Sequence, residues 1–303
     1  MTPPLSGTAM ADAALTWKPD PRKTMVTLPK GATDCHCHIF GPQDVFPYDP
    51  ASGFKPADAP KEALFALHDQ MGIERCVIVQ SGCHGHDNRV VADAITARPG
   101  RYLGIALAPA DIGATQLKAL DNQGFRGLRF NYMSHLAPGA DRDALRALAP
   151  RLADLGWHLQ IHMEDRLIAP MTPWLADLPV PVVIDHFGRI DASRPRDQAE
   201  FQALLRLLDY EHLWCKVSGS ERASRQDPPY ADAVPYAREV VQRFPDRVLW
   251  GTDWPHPNFR ADPPDDGDLF DLLPRIAPTE ALMQSLLVEN PERLYGFGQG
   301  THT

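Results

Sequence analysis

The stretch Thr33-Asp34-Cys35-His36-Cys37-His38-Ile39-Phe40 reads as a buried β-strand whose far end carries two histidines. Side chains alternate along a strand, so His36 and His38 are expected on one face, with Cys35 and Cys37 on the other as packing residues. Two imidazoles on one face of a strand end can hold a metal ion or polarise a bound carbonyl. Alone, they read equally well as core histidines with hydrogen-bond partners. What decides is whether other strands of the chain end in the same way.

Seven further strand-like runs follow, at 75–80, 101–108, 125–131, 158–163, 180–186, 213–218 and 247–253, the first strand being 33–40. Most are short and apolar, as parallel strands buried on both faces require. Helix patterns alternate with them at 61–71, 88–97, 114–122, 141–155, 165–176, 197–208, 230–243 and 266–273. Several open with Asp or Asn, which suit the unpaired N–H groups of a helix start. Eight strands, each followed by a helix, predict an α/β fold of the (β/α)8 TIM-barrel type, one domain over 31–298. A doubly wound sheet is the alternative, but no Gly-x-Gly-x-x-Gly follows the first strand. Residues 1–30, with five prolines between Pro3 and Pro29, are expected to form an extended, partly mobile arm, and 299–303 a tail. The stretches 41–60 and 255–267 are too long for plain turns and read as lids.

The chain has 303 residues, 44% of them hydrophobic, with a mean hydropathy of −0.30. Thirty Lys and Arg against 39 Asp and Glu give a net charge of −9, which argues against nucleic acid and anionic membranes as partners. No apolar run reaches membrane-spanning length and none resembles a secretory segment, so a cytoplasmic protein is expected. The five cysteines, Cys35, Cys37, Cys76, Cys83 and Cys215, form no C-x-x-C and read as reduced thiols. A homo-oligomer is compatible with the sequence, which does not fix the assembly.

In a barrel, reacting groups sit at the C-terminal ends of the strands. Those ends carry His36 and His38, Arg129, His162, Asp185 and His186, Ser218 followed by Arg222, and Asp253 followed by Asn258. A mononuclear Zn²⁺ fits His36, His38 and His162 with Asp253 as fourth ligand or facing the water. Asp253 would then act as general base, and His186 as donor to the developing oxyanion. Arg129 and Arg222 offer forked donors for a carboxylate or sulfonate. The expected chemistry is attack of water on an activated carbonyl in a small anionic molecule; no G-x-S-x-G is present. His158 starts its strand and reads as structural. His68 and His212 read as surface residues on helix or loop, and His84 and His86 as residues that could line the mouth.

The motifs D-C-H-C-H-I-F-G-P, V-I-V-Q-S-G-C-H-G-H-D-N, R-G-L-R-F-N, V-I-D-H-F-G-R and W-G-T-D-W-P-H-P-N resemble the amidohydrolase superfamily, in the branch of 2-pyrone-4,6-dicarboxylate lactonase and related lactone hydrolases. The resemblance implies a barrel-end site and ester-type hydrolysis in aromatic catabolism. Its pattern is met at His36, His38, Arg129, His186, Arg222, Asp253 and Asn258. It is not met at Phe54 and His162, where tyrosine is expected, at Gly82 for serine, or at His135 for arginine. The dicarboxylate lactonase works without metal. Histidine at 162 instead restores the ligand set of metal-dependent members, as in 4-sulfomuconolactone hydrolases, whose substrate carries a sulfonate and a carboxylate for Arg129, Arg222 and His135. The first expectation is therefore zinc-assisted opening of 4-sulfomuconolactone. The dicarboxylate lactonase activity comes second, then a sugar-acid lactonase or isomerase, a metal-dependent decarboxylase, and a non-catalytic binding protein.

Overall fold

The structure, a computed structural model, describes residues 14–135, 139–259 and 262–297. Eight parallel strands stand side by side in chain order: β1 (Thr33–Cys37), β2 (Arg75–Val79), β3 (Tyr102–Ala106), β4 (Phe125–Tyr132), β5 (His158–Met163), β6 (Val182–Ile184), β7 (Leu213–Lys216) and β8 (Val248–Leu249). The stretch after β8 returns to β1 through Cys35 N–H to Trp250 O (2.9 Å), Asp253 N–H to His36 O (2.7 Å) and His38 N–H to Trp254 O (2.6 Å). These bonds close the cylinder, and the expected (β/α)8 barrel is present. Helices α1 (Lys61–Met71), α2 (Arg89–Ala97), α3 (Ala114–Asn122), α4 (Arg142–Asp154), α5 (Ile168–Ala176) and α6 (Ala199–Leu207) follow β1 to β6 in turn, and α7 (Ser220–Ala223) and α8 (Val234–Arg243) both lie between β7 and β8. Inside, Val77, Val79, Ile105, Val183, Trp214 and Leu249 pack with Tyr295 and Phe297, which arrive from the C-terminal helical run.

Three departures from the sequence reading have physical causes. Between Asp34↔Cys76 and Cys37↔Ile78, β1 holds one residue more than β2. That bulge breaks the alternation. Cys35 therefore packs with the inward-facing strand residues and Cys37 with the outer, helix-facing core, rather than both on one face. Strands β6, β7 and β8 stop earlier than expected, because the chain leaves the ladder to turn His186, Ser218 and Asp253 toward the mouth. Arg222 lies on the separate short α7, and the expected 230–243 helix starts only at Val234. His68 is not a surface residue: α1 buries Leu64, Leu67, His68 and Met71 at helical spacing. The His68 ring meets the Tyr102 hydroxyl at 2.7 Å and Asp34 Oδ2 at 3.2 Å.

Of the N-terminal arm, residues 1–13 lie outside the described residues, as does the 299–303 tail. The rest of the arm crosses the segment after β8. Thr16 is buried and donates to Pro255 O, the Trp17 ring lies 5.3 Å from that of Trp254, and Arg22 pairs with Asp268 (2.7 Å) and Asp271 (2.6 Å). The 41–60 loop is pinned at both ends. Phe40 and Ala59 form an antiparallel bridge, and Gly41 N–H donates to His84 Nε2 at 3.2 Å. With Nε2 accepting, Nδ1 carries the proton, and it faces Pro47 O at 3.3 Å. His84 is thus a clamp on the loop.

Candidate active site

One carboxylate oxygen marks the centre. Asp253 Oδ1 lies 3.4 Å from His38 Nε2, 3.6 Å from His36 Nε2 and 3.7 Å from His186 Nε2. The other oxygen, Oδ2, accepts from Arg222 Nε. All four residues are buried. They come from β1, the turn after β6 and the segment after β8, so only closure of the barrel brings them together. Asp253 (φ 59°) and His186 (φ 48°) both occupy the left-handed region, which costs L-residues energy and clusters at functional sites. Gly251 permits the approach, since a Cβ there would stand 2.5 Å from His36 N and 2.8 Å from Asp34 Oδ1.

A second layer of charged groups orients the first. Asp185 Oδ2 accepts from Arg129 Nε (2.9 Å) and Gln160 Nε2 (3.1 Å), while Oδ1 faces His36 Nδ1 at 3.3 Å and Lys216 Nζ at 3.7 Å. Lys216 is fully buried on β7; its ammonium donates to Gln160 Oε1 (2.8 Å) and lies 3.3 Å from His36 Nδ1. Asp34 binds His36 N–H (2.9 Å), Thr252 N–H (3.1 Å) and the Thr252 hydroxyl (2.6 Å), joining β1 to the segment after β8. His186 Nδ1 meets Ser218 Oγ at 3.0 Å.

Electrostatics follow from this packing. Burial alone would raise the Asp253 carboxyl, but Arg222 and the neighbouring imidazoles outweigh it and hold it well below the usual carboxylate range. Asp185 is likewise ionised: burial opposes it, and His36, Arg129 and Lys216 prevail. Burial, with Lys216 adding repulsion, pushes His36 down to about 3, and His162 and His186 are also held well below the ordinary imidazole value, chiefly by burial. The centre is therefore an ionised carboxylate beside the neutral imidazoles of His36 and His186.

The structure brings His36, His38, His186 and Asp253 together. Among the described residues, the group of ligand atoms within 4.8 Å of one another here is His36, His186 and Asp253, without His38 or His162. His162 sits one step away, its ring centroid 5.7 Å from that of His186, with Nδ1 3.1 Å from Asn131 Oδ1, its partner in the β4–β5 register. His186 thus stands nearer the expected ligand cluster than His162 does. Arg129 and Arg222 do not offer whole forks, because each commits Nε to a carboxylate. Arg222 also gives Nη1 to Pro257 O (2.9 Å) and keeps Nη2 buried and unpaired. His135 and Asn258 are exposed on the turns after β4 and β8. Sequence reasoning missed Asp34, Gln160, Lys216 and Arg189. The signal for the second and third was a polar residue inside a strand apolar on both faces.

The donor set fits a cation. Val79 O, which can only accept, lies 2.7 Å from His38 Nδ1, so that nitrogen donates and Nε2 is the atom that faces Asp253. A hydrogen bond fixing the outer nitrogen is the usual support of a metal-binding histidine. His36 Nε2 and His162 Nε2 are buried without hydrogen-bond partners.

The family pattern described as amidohydrolase matches residues 33–297. The 2-pyrone-4,6-dicarboxylate hydrolase of Comamonas testosteroni is 44% identical over 290 residues, covering 93% of this chain and 95% of that one. The 4-sulfomuconolactone hydrolase of Rhizobium radiobacter is 39% identical over 273 residues, 89% of this chain and 91% of that one. Among solved structures, a probable 2-pyrone-4,6-dicarboxylic acid hydrolase from Acinetobacter baumannii with citric acid bound superposes with a TM-score of 0.77 at 26% identity, covering 88% of this chain and all of that one.

Proposed function

The chain belongs to the amidohydrolase family, and on that premise we propose that it opens a small dianionic unsaturated lactone of aromatic catabolism, with 4-sulfomuconolactone the first candidate. The observation that carries this is the ionised Asp253 oxygen, 3.4–3.7 Å from the Nε2 atoms of His38, His36 and His186. Water attacks the lactone carbonyl carbon, Asp253 takes its proton, and that proton passes to the ring oxygen as the acyl–oxygen bond breaks. Arg222 keeps Asp253 ionised and aimed, and Asp185 with Lys216 fixes the His36 ring.

A carboxylate held below its usual range is a weaker base, and a bound cation that acidified the water would compensate for this. A single Zn²⁺ would be held by His36, His186 and Asp253, with His38 and His162 at the edge of the group. When bound it supplies Lewis acidity to water and carbonyl. The five free, buried cysteines suit a reducing compartment, in keeping with the cytoplasm. Among the described residues no helix is long and apolar enough to cross a membrane.

Turnover of 4-sulfomuconolactone and 2-pyrone-4,6-dicarboxylate by protein of measured metal content tests the proposal. Faster opening of the sulfonated lactone, lost with chelation, is expected. The 44% identity to the Comamonas enzyme favours a second reading, metal-independent hydrolysis of the pyrone. Chelator-insensitive, faster pyrone turnover would establish it.

A further inference from the structure

We propose that Cys37 and Cys76 are an oxidation-sensitive pair, which peroxide joins reversibly into a disulfide that disarms the site; the effect on turnover rests on the hydrolase reading. The two residues lie on neighbouring strands, and their sulfurs are 3.2 Å apart. The bulge in β1 makes this meeting. In an unbroken strand Cys37 would share the inward face with Cys35. The extra residue between Asp34↔Cys76 and Cys37↔Ile78 turns it outward instead, into the helix-facing core that holds Cys76. Bulges re-aim side chains in this way beside functional sites. Cys35 and Cys215 turn their sulfurs to backbone carbonyls, Thr33 O at 4.0 Å and Lys216 O at 3.7 Å. A disulfide bond is about 2.0 Å long, so the pair must close by roughly 1 Å.

A metal ion is the other reading of two thiols beside an imidazole, since ligand atoms of Cys37, His68 and Cys76 lie within 4.8 Å of one another. The His68 ring is already engaged on both sides, Nδ1 with the Tyr102 hydroxyl at 2.7 Å and Nε2 with Asp34 Oδ2 at 3.2 Å. With that third ligand committed, the sulfurs are left to each other. What their bond would move is the site. Cys37 stands between His36 and His38. His36 O accepts from Asp253 N–H (2.7 Å) and His38 N–H donates to Trp254 O (2.6 Å), so the residues flanking Cys37 also hold the Asp253 segment. Drawing Cys37 toward β2 displaces both halves of the site, and a misplacement of about 1 Å can cost a reaction roughly 10²-fold.

The oxidant is hydrogen peroxide. One thiol takes an oxygen from it as sulfenic acid, releasing water. The second sulfur then displaces hydroxide from the first, and its own proton leaves with that hydroxide as a second water. Two sulfurs are oxidised and both peroxide oxygens reduced. Both residues are fully buried. Burial pushes the Cys37 thiol up to about 11 and holds that of Cys76 well above the ordinary value, so the reaction is slow and calls for a small oxidant.

The test incubates the purified enzyme with excess peroxide, blocks the remaining thiols in denaturant, and maps the digest by mass before and after dithiothreitol. A single Cys37–Cys76 crosslink is expected, reversed by dithiothreitol. Turnover of the anionic lactone is expected to fall by about tenfold or more with the crosslink and to return with the thiols. Cys76→Ala, and Cys76→Ser beside it as the variant closer in volume, leave β1 intact. Both are expected to keep the basal rate and to resist peroxide. Thiols that stay free, or that oxidise without a crosslink, overturn the proposal. So does a crosslinked enzyme with unchanged turnover, or a second zinc ion in wild type that is lost in Cys76→Ala, which would give the pair to a metal. A reversible crosslink in an enzyme that opens no lactone leaves the thiol pair standing and removes the hydrolase reading.

Discussion

At Asp185 a guanidinium, an ammonium and an imidazole share one buried carboxylate. Asp185→Asn keeps the shape and removes the charge, leaving Arg129 and Lys216 facing each other without compensation. Breaking one partner of such a buried network costs about 3–5 kcal/mol, so the urea midpoint is expected to fall sharply. An unchanged midpoint would show that the network carries no stability. His186 and His162 separate just as cleanly. Because His186 lies inside the tight ligand group and His162 outside it, His186→Ala is expected to lower bound zinc further than His162→Ala. Elemental analysis of the two purified variants reads this directly, and the reverse order would restore His162 to the ligand set.

The seam between β1 and the segment after β8 sets the site's geometry. Gly251→Ala would put a Cβ 2.5 Å from His36 N. Forced shifts of this kind cost about 1–3 kcal/mol, and here they also displace Asp253, so turnover should fall more than stability does. A variant with wild-type kcat would mean the seam tolerates movement. The 41–60 loop hangs on His84, so His84→Ala is expected to speed proteolytic cleavage within it while global unfolding changes little; equal cleavage rates would remove the clamp. The strands and most helices were legible in the sequence because two-sided burial writes short apolar runs between cap residues. The bulge in β1 was not, since an extra residue leaves no trace in the alternation of D-C-H-C-H. Arg129 and Arg222 were legible as site residues, but not their bonds to Asp185 and Asp253, because pairing across strands far apart in sequence depends on how the cylinder closes. Lys216 was visible only as a charge inside Leu-Trp-Cys-Lys-Val, a pattern equally readable as a strand end.

Across the molecule, stability should depend on pH through its buried histidines. His158, sealed against Tyr295 at the N-terminal end of β5 (ring centroids 5.4 Å apart), has its pKa pushed down to about 3, by burial first and Lys216 second. The unfolded chain takes up that proton near pH 6.5 and the folded one does not. The contribution is therefore complete above about 6.5 and is lost as pH falls toward 3, at roughly 1.4 kcal/mol per unit. Urea midpoints should drop between pH 6.5 and 4, with a shallower slope in His158→Gln; equal slopes would assign the effect elsewhere. The central claim is that side chains from opposite sides of the barrel meet to drive water onto a lactone carbonyl. The most direct measurement is ring opening of the anionic lactone in ¹⁸O-water by wild type and Asp253→Asn. One solvent oxygen in the new carboxylate is expected, with the variant roughly 10²–10⁴-fold slower. Release of CO₂, product without label, or an Asp253→Asn enzyme at the wild-type rate would contradict the account.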